Sequence, residues 1–184
     1  MKAKVNKVTI EIVMAGLLQQ DVVAIVHTTD PSLTVSPWLA EKAGASVQRE
    51  CLEIGYCDVG AAVVTGAGNM KYEKIIHAVA PRWGESSARG KLANVTWDVL
   101  RHAEASKLKS VAMPAISIGA LGYPVENCAK MMIGEIIDFT FESLKHLRNI
   151  VVCLETKQSY EAFEFEFNRQ IQILKDTGEG QVRV

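Results

Sequence analysis

A short apolar run, Val111-Ala-Met-Pro114, passes into a loop carrying Ser117, Gly119 and Gly122, and apolar residues at helical spacing resume directly after Pro124. Strand, glycine loop and helix in that order define a unit that aims backbone N–H groups and a helix dipole at an anion, typically a phosphate. Glycine supplies the positive φ angles and close backbone approach that such a cradle requires. An ordinary strand-to-helix turn fits the same local pattern, so the loop alone leaves both readings open.

The rest of the chain repeats the alternation. Val5 to Met14 alternates as a half-buried strand, and Val22-Val-Ala-Ile-Val26 is a continuous apolar run, as in a strand covered on both faces. His27 to Pro37 reads as loop, with Ser36 as N-cap and Pro37 at the first helical position of a helix running from Trp38 to Ile54. Strands are expected at 61–65 and 74–80, a helix at 88–106, a strand at 110–114 and a helix after Pro124. A last strand at 149–155 precedes a helix at 159–174, and residues 175–184 read as a flexible tail. The order ββαββαβαβα predicts one domain over residues 1–174, an α/β fold of three layers (α-β-α) around a mixed, mostly parallel sheet. In such sheets ligands bind outside the carboxyl ends of the strands, where both the glycine loop and the loop after Val26 fall.

Composition narrows the function classes. A net charge of −1 offers no general attraction to nucleic acid or to an acidic membrane. No apolar run reaches bilayer-spanning length, and the basic start Met1-Lys-Ala-Lys lacks the apolar core of a signal peptide. Cys51, Cys57, Cys128 and Cys153 form no CxxC pair and stand at no metal-ligand spacing, so they read as buried free thiols in an intracellular protein without a metal or cofactor. Cys128, one turn into the helix after the glycine loop, fits a core contact better than an activated thiol. His77 reads as a core histidine, and His102 and His146 as solvated helix positions.

Three segments, in order, carry a family resemblance: Gly60-Ala-Ala-Val-Val-Thr-Gly66, Ile75-Ile-His-Ala-Val-Ala-Pro81 with Trp83, and Ser110 to Pro124. Together they resemble macrodomains, the modules that bind ADP-ribose, over roughly residues 8–168. The resemblance implies a diphosphate held by backbone N–H groups of Ser117, Ile118, Gly119, Ala120, Leu121 and Gly122. It implies a distal ribose near Asp30 and His27, which stand in the family's Asn-Ala-Ala-Asn segment as His27-Thr-Thr-Asp30.

The departures from the family pattern are as informative. Macrodomains usually carry an aspartate that reads the adenine amino group; Gly16 stands there. Glu155 stands where an aromatic often packs on adenine. The family's triple-glycine loop, with its water-positioning group, is replaced by Leu33-Thr-Val-Ser-Pro-Trp38. Within the phosphate loop Ile118 and Leu121 replace a hydroxyl and an aromatic. Each lost hydrogen bond to a well-oriented group costs about 1–3 kcal/mol, and tenfold in affinity is about 1.4 kcal/mol.

The expected function is therefore non-catalytic recognition of ADP-ribose or an ADP-ribosylated protein, with weakened affinity or altered specificity. Two alternatives remain at this stage: a protein-interaction module whose pocket is filled by Pro37, Trp38 and Leu121, and a residual mono-ADP-ribosyl hydrolase using Asp30. Asp30 also fits a turn closed by its own side chain before Pro31, and His27 also fits a plug at the end of its strand.

Overall fold

The computed structural model describes residues 1–184. Eight strands form one sheet: β1 (Lys2–Val5), β2 (Val8–Met14), β3 (Ala24–Thr29), β4 (Ala62–Gly66), β5 (Lys74–Val79), β6 (Ser110–Pro114), β7 (Asn149–Leu154) and β8 (Val182–Arg183). Five α-helices accompany them: α1 (Pro37–Ala43), α2 (Ala45–Ile54), α3 (Ala88–Ala105), α4 (Val125–Phe139) and α5 (Lys157–Thr177). The spatial order is β4-β5-β3-β6-β7-β2-β1-β8. The central strands from β5 to β2 are parallel, and the antiparallel pairs β4–β5, β2–β1 and β1–β8 lie at the two margins.

The continuous apolar runs have a direct physical cause. Along β6, Val111 and Met113 face one core while Ala112 faces the other, and β7 alternates in the same way from Ile150 to Leu154. One face is covered by α3, α4 and α5, whose Leu92, Val99, Met132, Ile136, Phe163 and Phe167 are buried in the larger core. The other is covered by α1 and α2 through Leu39, Ala43, Val47 and Cys51. A strand sandwiched between helix layers has no solvent-facing side to carry polar residues. Full burial of each such large side chain contributes about 1.5–3 kcal/mol. The expected three-layer α/β architecture is what forms.

Four expectations change. The strand expected at Val22–Val26 runs from Ala24 to Thr29, so His27, Thr28 and Thr29, expected in the loop, lie in β3 and pair with β5. The single helix from Trp38 to Ile54 is two helices, broken at Gly44, which adopts φ +79° while Asn69 N–H donates to Ala43 O at 2.8 Å across the break. The first strand is a hairpin, β1 turning into β2 at Asn6 with φ +55°. Residues 175–184 do not fray from Lys175: α5 continues to Thr177, and β8 pairs antiparallel with β1. Asn6 holds that return, donating its backbone N–H to Gln181 O at 2.7 Å and accepting Gln181 N–H on Oδ1 at 3.1 Å. The four cysteines are free and buried, as expected. Burial pushes the Cys128 thiol up to about 12, and its Sγ donates to Ile116 O at 2.7 Å, a core contact. No helix is long and apolar enough to cross a membrane.

Candidate functional site

Because β2, β3, β6 and β7 are parallel neighbours, the loops that follow them open at one edge of the sheet. Met14, Thr29, Pro114 and Leu154 end these strands, so Gly16, Asp30, the glycine loop and Glu155 converge from four separate stretches of sequence. A cavity of 560 Å³ lies there, lined by Gly16, Leu17, Gln19, His27, Trp38 and Glu155 among others. A smaller pocket of 240 Å³ adjoins it, lined by Thr28, Thr29, Asp30, Thr34, Ser36 and Leu121. Thr28 and Ser36 border both, so the two spaces form one cleft, apolar at one end and rich in hydroxyls at the other.

The glycine loop has the expected conformation. Ser117 and Gly119 take positive φ angles of 71° and 68°, and a single 3₁₀ turn over Gly119–Leu121 ends at Gly122 with φ +73°. Gly122 N–H closes that turn on Gly119 O at 2.9 Å, and Trp83 N–H donates to Leu121 O at 2.9 Å, tying the loop to the segment after β5. The Trp83 ring lies edge-on against Tyr123 with centroids 5.1 Å apart. Backbone N–H groups of Ser117 and Ile118 donate to no protein acceptor. Ser117 Oγ is buried and has no partner. Of the six loop residues expected at the site, Leu121 lines the cleft; Ser117, Ile118, Gly119, Ala120 and Gly122 border neither cavity.

Asp30 stands at the hydroxyl-rich end, but its carboxylate is engaged. Oδ1 accepts Thr34 N–H at 3.2 Å, and hydrogen bonding from Thr34 holds the acid below the usual carboxylate range. His27 is both plug and cleft wall. It is fully buried, yet it lines the larger cavity and carries a Trp38 edge at 5.8 Å. Trp38 is 38% exposed and borders the cavity without filling it.

Behind His27 runs a chain of buried hydrogen bonds. Thr65 Oγ1 donates to Gly66 O at 2.8 Å, so it receives its other bond, at 2.8 Å, from His77 Nε2–H. The remaining His77 nitrogen, Nδ1, is then an acceptor and takes His27 Nδ1–H at 3.0 Å. That leaves His27 Nε2 unprotonated and facing Ser36, whose Oγ lies 2.7 Å away and whose N–H points at the same nitrogen at 3.4 Å. Both ends of the chain thus assign the same tautomers. Desolvation by burial holds His27 down at about 4 and His77 at about 3, so both rings are neutral near pH 7.

Ser36 is the site residue that sequence reasoning missed. It was expected to cap the helix that starts at Pro37, and it does occupy the N-cap position. Its side chain makes no capping bond, because the hydroxyl is taken by His27. The signal available in the sequence was a serine that follows a histidine by nine residues across a loop, too common a pattern to single out.

Comparison with known proteins places the chain among relatives with the same architecture. The Macro domain family model matches residues 12–132. An uncharacterized protein of Sulfurisphaera tokodaii is 35% identical over 170 residues, covering 88% of this chain and 92% of the relative. A protein of an Enterobacter species named O-acetyl-ADP-ribose deacetylase is 31% identical over 163 residues, covering 83% of this chain and 91% of its own length. The macrodomain of Oceanobacillus iheyensis, solved as a variant with ADPR, superposes with a TM-score of 0.85 at 25% identity, covering 94% of this chain and 98% of that one.

Proposed function

We propose that this chain, which belongs to the macro domain family, binds ADP-ribose or an ADP-ribosyl group in the cleft between β3 and the glycine loop, and does so without cutting the ribosyl linkage. The observation that carries this reading is the open 560 Å³ cavity, flanked by Gly16 and Glu155 at the end where the family resemblance puts adenine. The glycine loop from Ser117 to Gly122, which reaches the cleft at Leu121, would receive the diphosphate on backbone N–H groups, and the hydroxyl-rich pocket with Asp30 the distal ribose. Relatives named for ADP-ribose chemistry or solved with ADPR support the same ligand class.

Affinity is expected to be low. Gly16 supplies no carboxylate for adenine, Glu155 supplies no ring, and Asp30 is committed to its own turn. Three contacts at about 1–2 kcal/mol each move a micromolar site toward millimolar. An Asp30 engaged by Thr34 also favours recognition over linkage hydrolysis, which needs an oriented water. The interaction-module alternative requires side chains inside the cleft, and the open cavity favours ligand binding over it. Isothermal titration with ADP-ribose tests the reading: saturable heat is expected, and no heat at millimolar ligand with a folded sample overturns it.

A further inference from the structure

We propose, resting on the nucleotide reading above, that the apolar end of the cleft selects guanine over adenine, with Glu155 as the residue that reads the base. Around the 560 Å³ cavity stand Leu17, Leu18, Trp38 and Pro114, which offer apolar surface to a flat ring. Glu155 is the only acidic side chain in that wall, and His27, the only basic one, is neutral near pH 7. Glu155 takes part in none of the ion pairs of the fold, so both of its carboxylate oxygens are free to accept from a ligand.

Gln19 supplies the complementary group. Its Oε1 accepts Gly16 N–H at 3.0 Å, which fixes the amide: the oxygen is taken, and the Nε2 hydrogens are left as donors. Gly16 brings no side chain, and its carbonyl already accepts from Gln20 Nε2 at 3.1 Å and from Gln19 N–H at 3.2 Å. This end of the cleft therefore offers a double acceptor, Glu155, and an amide donor, Gln19.

Purines differ in what they present to such a pair. Guanine carries N1–H and the 2-amino group side by side, two adjacent donors that match a carboxylate with parallel, charge-assisted bonds. Its O6, next in line, accepts from an amide N–H such as that of Gln19. Adenine carries a single amino group beside N1, and the N1 lone pair faces the second carboxylate oxygen. Its position 6 also bears donors, which oppose the Gln19 amide. Hypoxanthine keeps N1–H and O6 but lacks the 2-amino group, so it falls between the two. Glu155 is exposed, and water competes for its oxygens, which holds the preference for guanine to about tenfold.

Titration calorimetry of the full chain with GDP, IDP and ADP reads the preference directly. GDP should bind about tenfold tighter than ADP, with IDP between them. Glu155→Gln replaces the double acceptor by one acceptor and one donor, a set that pairs with adenine, and should bring ADP level with GDP or ahead of it while the circular dichroism spectrum stays unchanged. ADP binding as tightly as GDP to the parent chain overturns the proposal, and ADP-ribose binding in the same samples then leaves the nucleotide reading standing. A guanine preference that survives Glu155→Gln overturns the role given to Glu155. No heat from the three diphosphates or from ADP-ribose, with folded protein at millimolar ligand, overturns the nucleotide reading and the base preference with it.

Discussion

His27 and His77 lie opposite each other in the parallel register of β3 and β5, and their Nδ1 atoms are 3.0 Å apart in a fully buried setting. One ring donates and the other accepts, so the pair is stable only while both are neutral. Protonating His77 on Nδ1 turns that hydrogen bond into two opposed N–H groups, and protonating either ring places a charge in the core.

Stability should therefore depend on pH in a defined window. Both histidines have folded values below the unfolded 6.5, at about 4 and about 3. Between pH 6.5 and 4 the unfolded chain binds protons that the folded chain refuses, so stability is complete above pH 6.5 and falls as pH drops. The shift of His27 alone is worth about 3 kcal/mol. Glu135 and Asp138, raised by burial, oppose the trend in part. Urea unfolding at pH 7.5, 6, 5 and 4.5 checks this; a flat midpoint would show that the pair does not titrate with folding.

Ser117 should show opposite effects in the free and bound protein. Its buried Oγ has no partner, and an unsatisfied buried hydroxyl destabilises by about 1–3 kcal/mol. Ser117→Ala is expected to raise the free energy of unfolding by about 1 kcal/mol and to weaken ADP-ribose by about fivefold, if the hydroxyl waits for the diphosphate. Denaturant melts and titration calorimetry read the two quantities separately. A loss of stability in the variant would mean the hydroxyl already has a partner.

Trp38 offers an optical report of the cleft. It lines the larger cavity, while Trp97 packs on Phe139 at 4.9 Å and Trp83 on Tyr123. Trp38 is the one indole that lines this cavity, so ligand there replaces water around it. ADP-ribose should shift the emission to the blue along the same saturation curve as the calorimetric heat, and Trp38→Phe should abolish the shift without unfolding the protein.

Much of this architecture could be read in the sequence, and the failures share a cause. Continuous apolar stretches such as Ala24 to Val26 and Val111 to Met113 announce burial on both faces, because period-2 polarity is lost only there, although β3 starts two residues later than expected and runs on to Thr29. What one segment cannot reveal is a partner far along the chain. The helix break at Gly44 is held by Asn69, and the strand β8 by Asn6, each across a long stretch of sequence. The cleft followed the same rule. Gly16, Asp30 and Glu155 were legible because the family resemblance aligned them, and the cavity walls gather them. Ser36 was not, since its role depends on the register that brings His27 against His77.

The departure at Gly16 can be reversed, and that gives the sharpest test of the ligand. Gly16 has φ −71° and ψ 149°, an extended conformation open to any residue. The nearest atoms to a Cβ added there belong to the Gln19 side chain, at 3.6 Å, an ordinary contact with a flexible group. Gly16→Asp should therefore fold normally while placing a carboxylate at the wall of the larger cavity, where macrodomains usually hold the aspartate that reads the adenine amino group. A charged hydrogen bond of that kind contributes about 1.5–3 kcal/mol, or roughly tenfold or more in affinity. Calorimetry should show the gain for ADP-ribose and not for its hypoxanthine analogue, which lacks the amino group. Equal gains for both, or none for either, would place adenine elsewhere in the cleft.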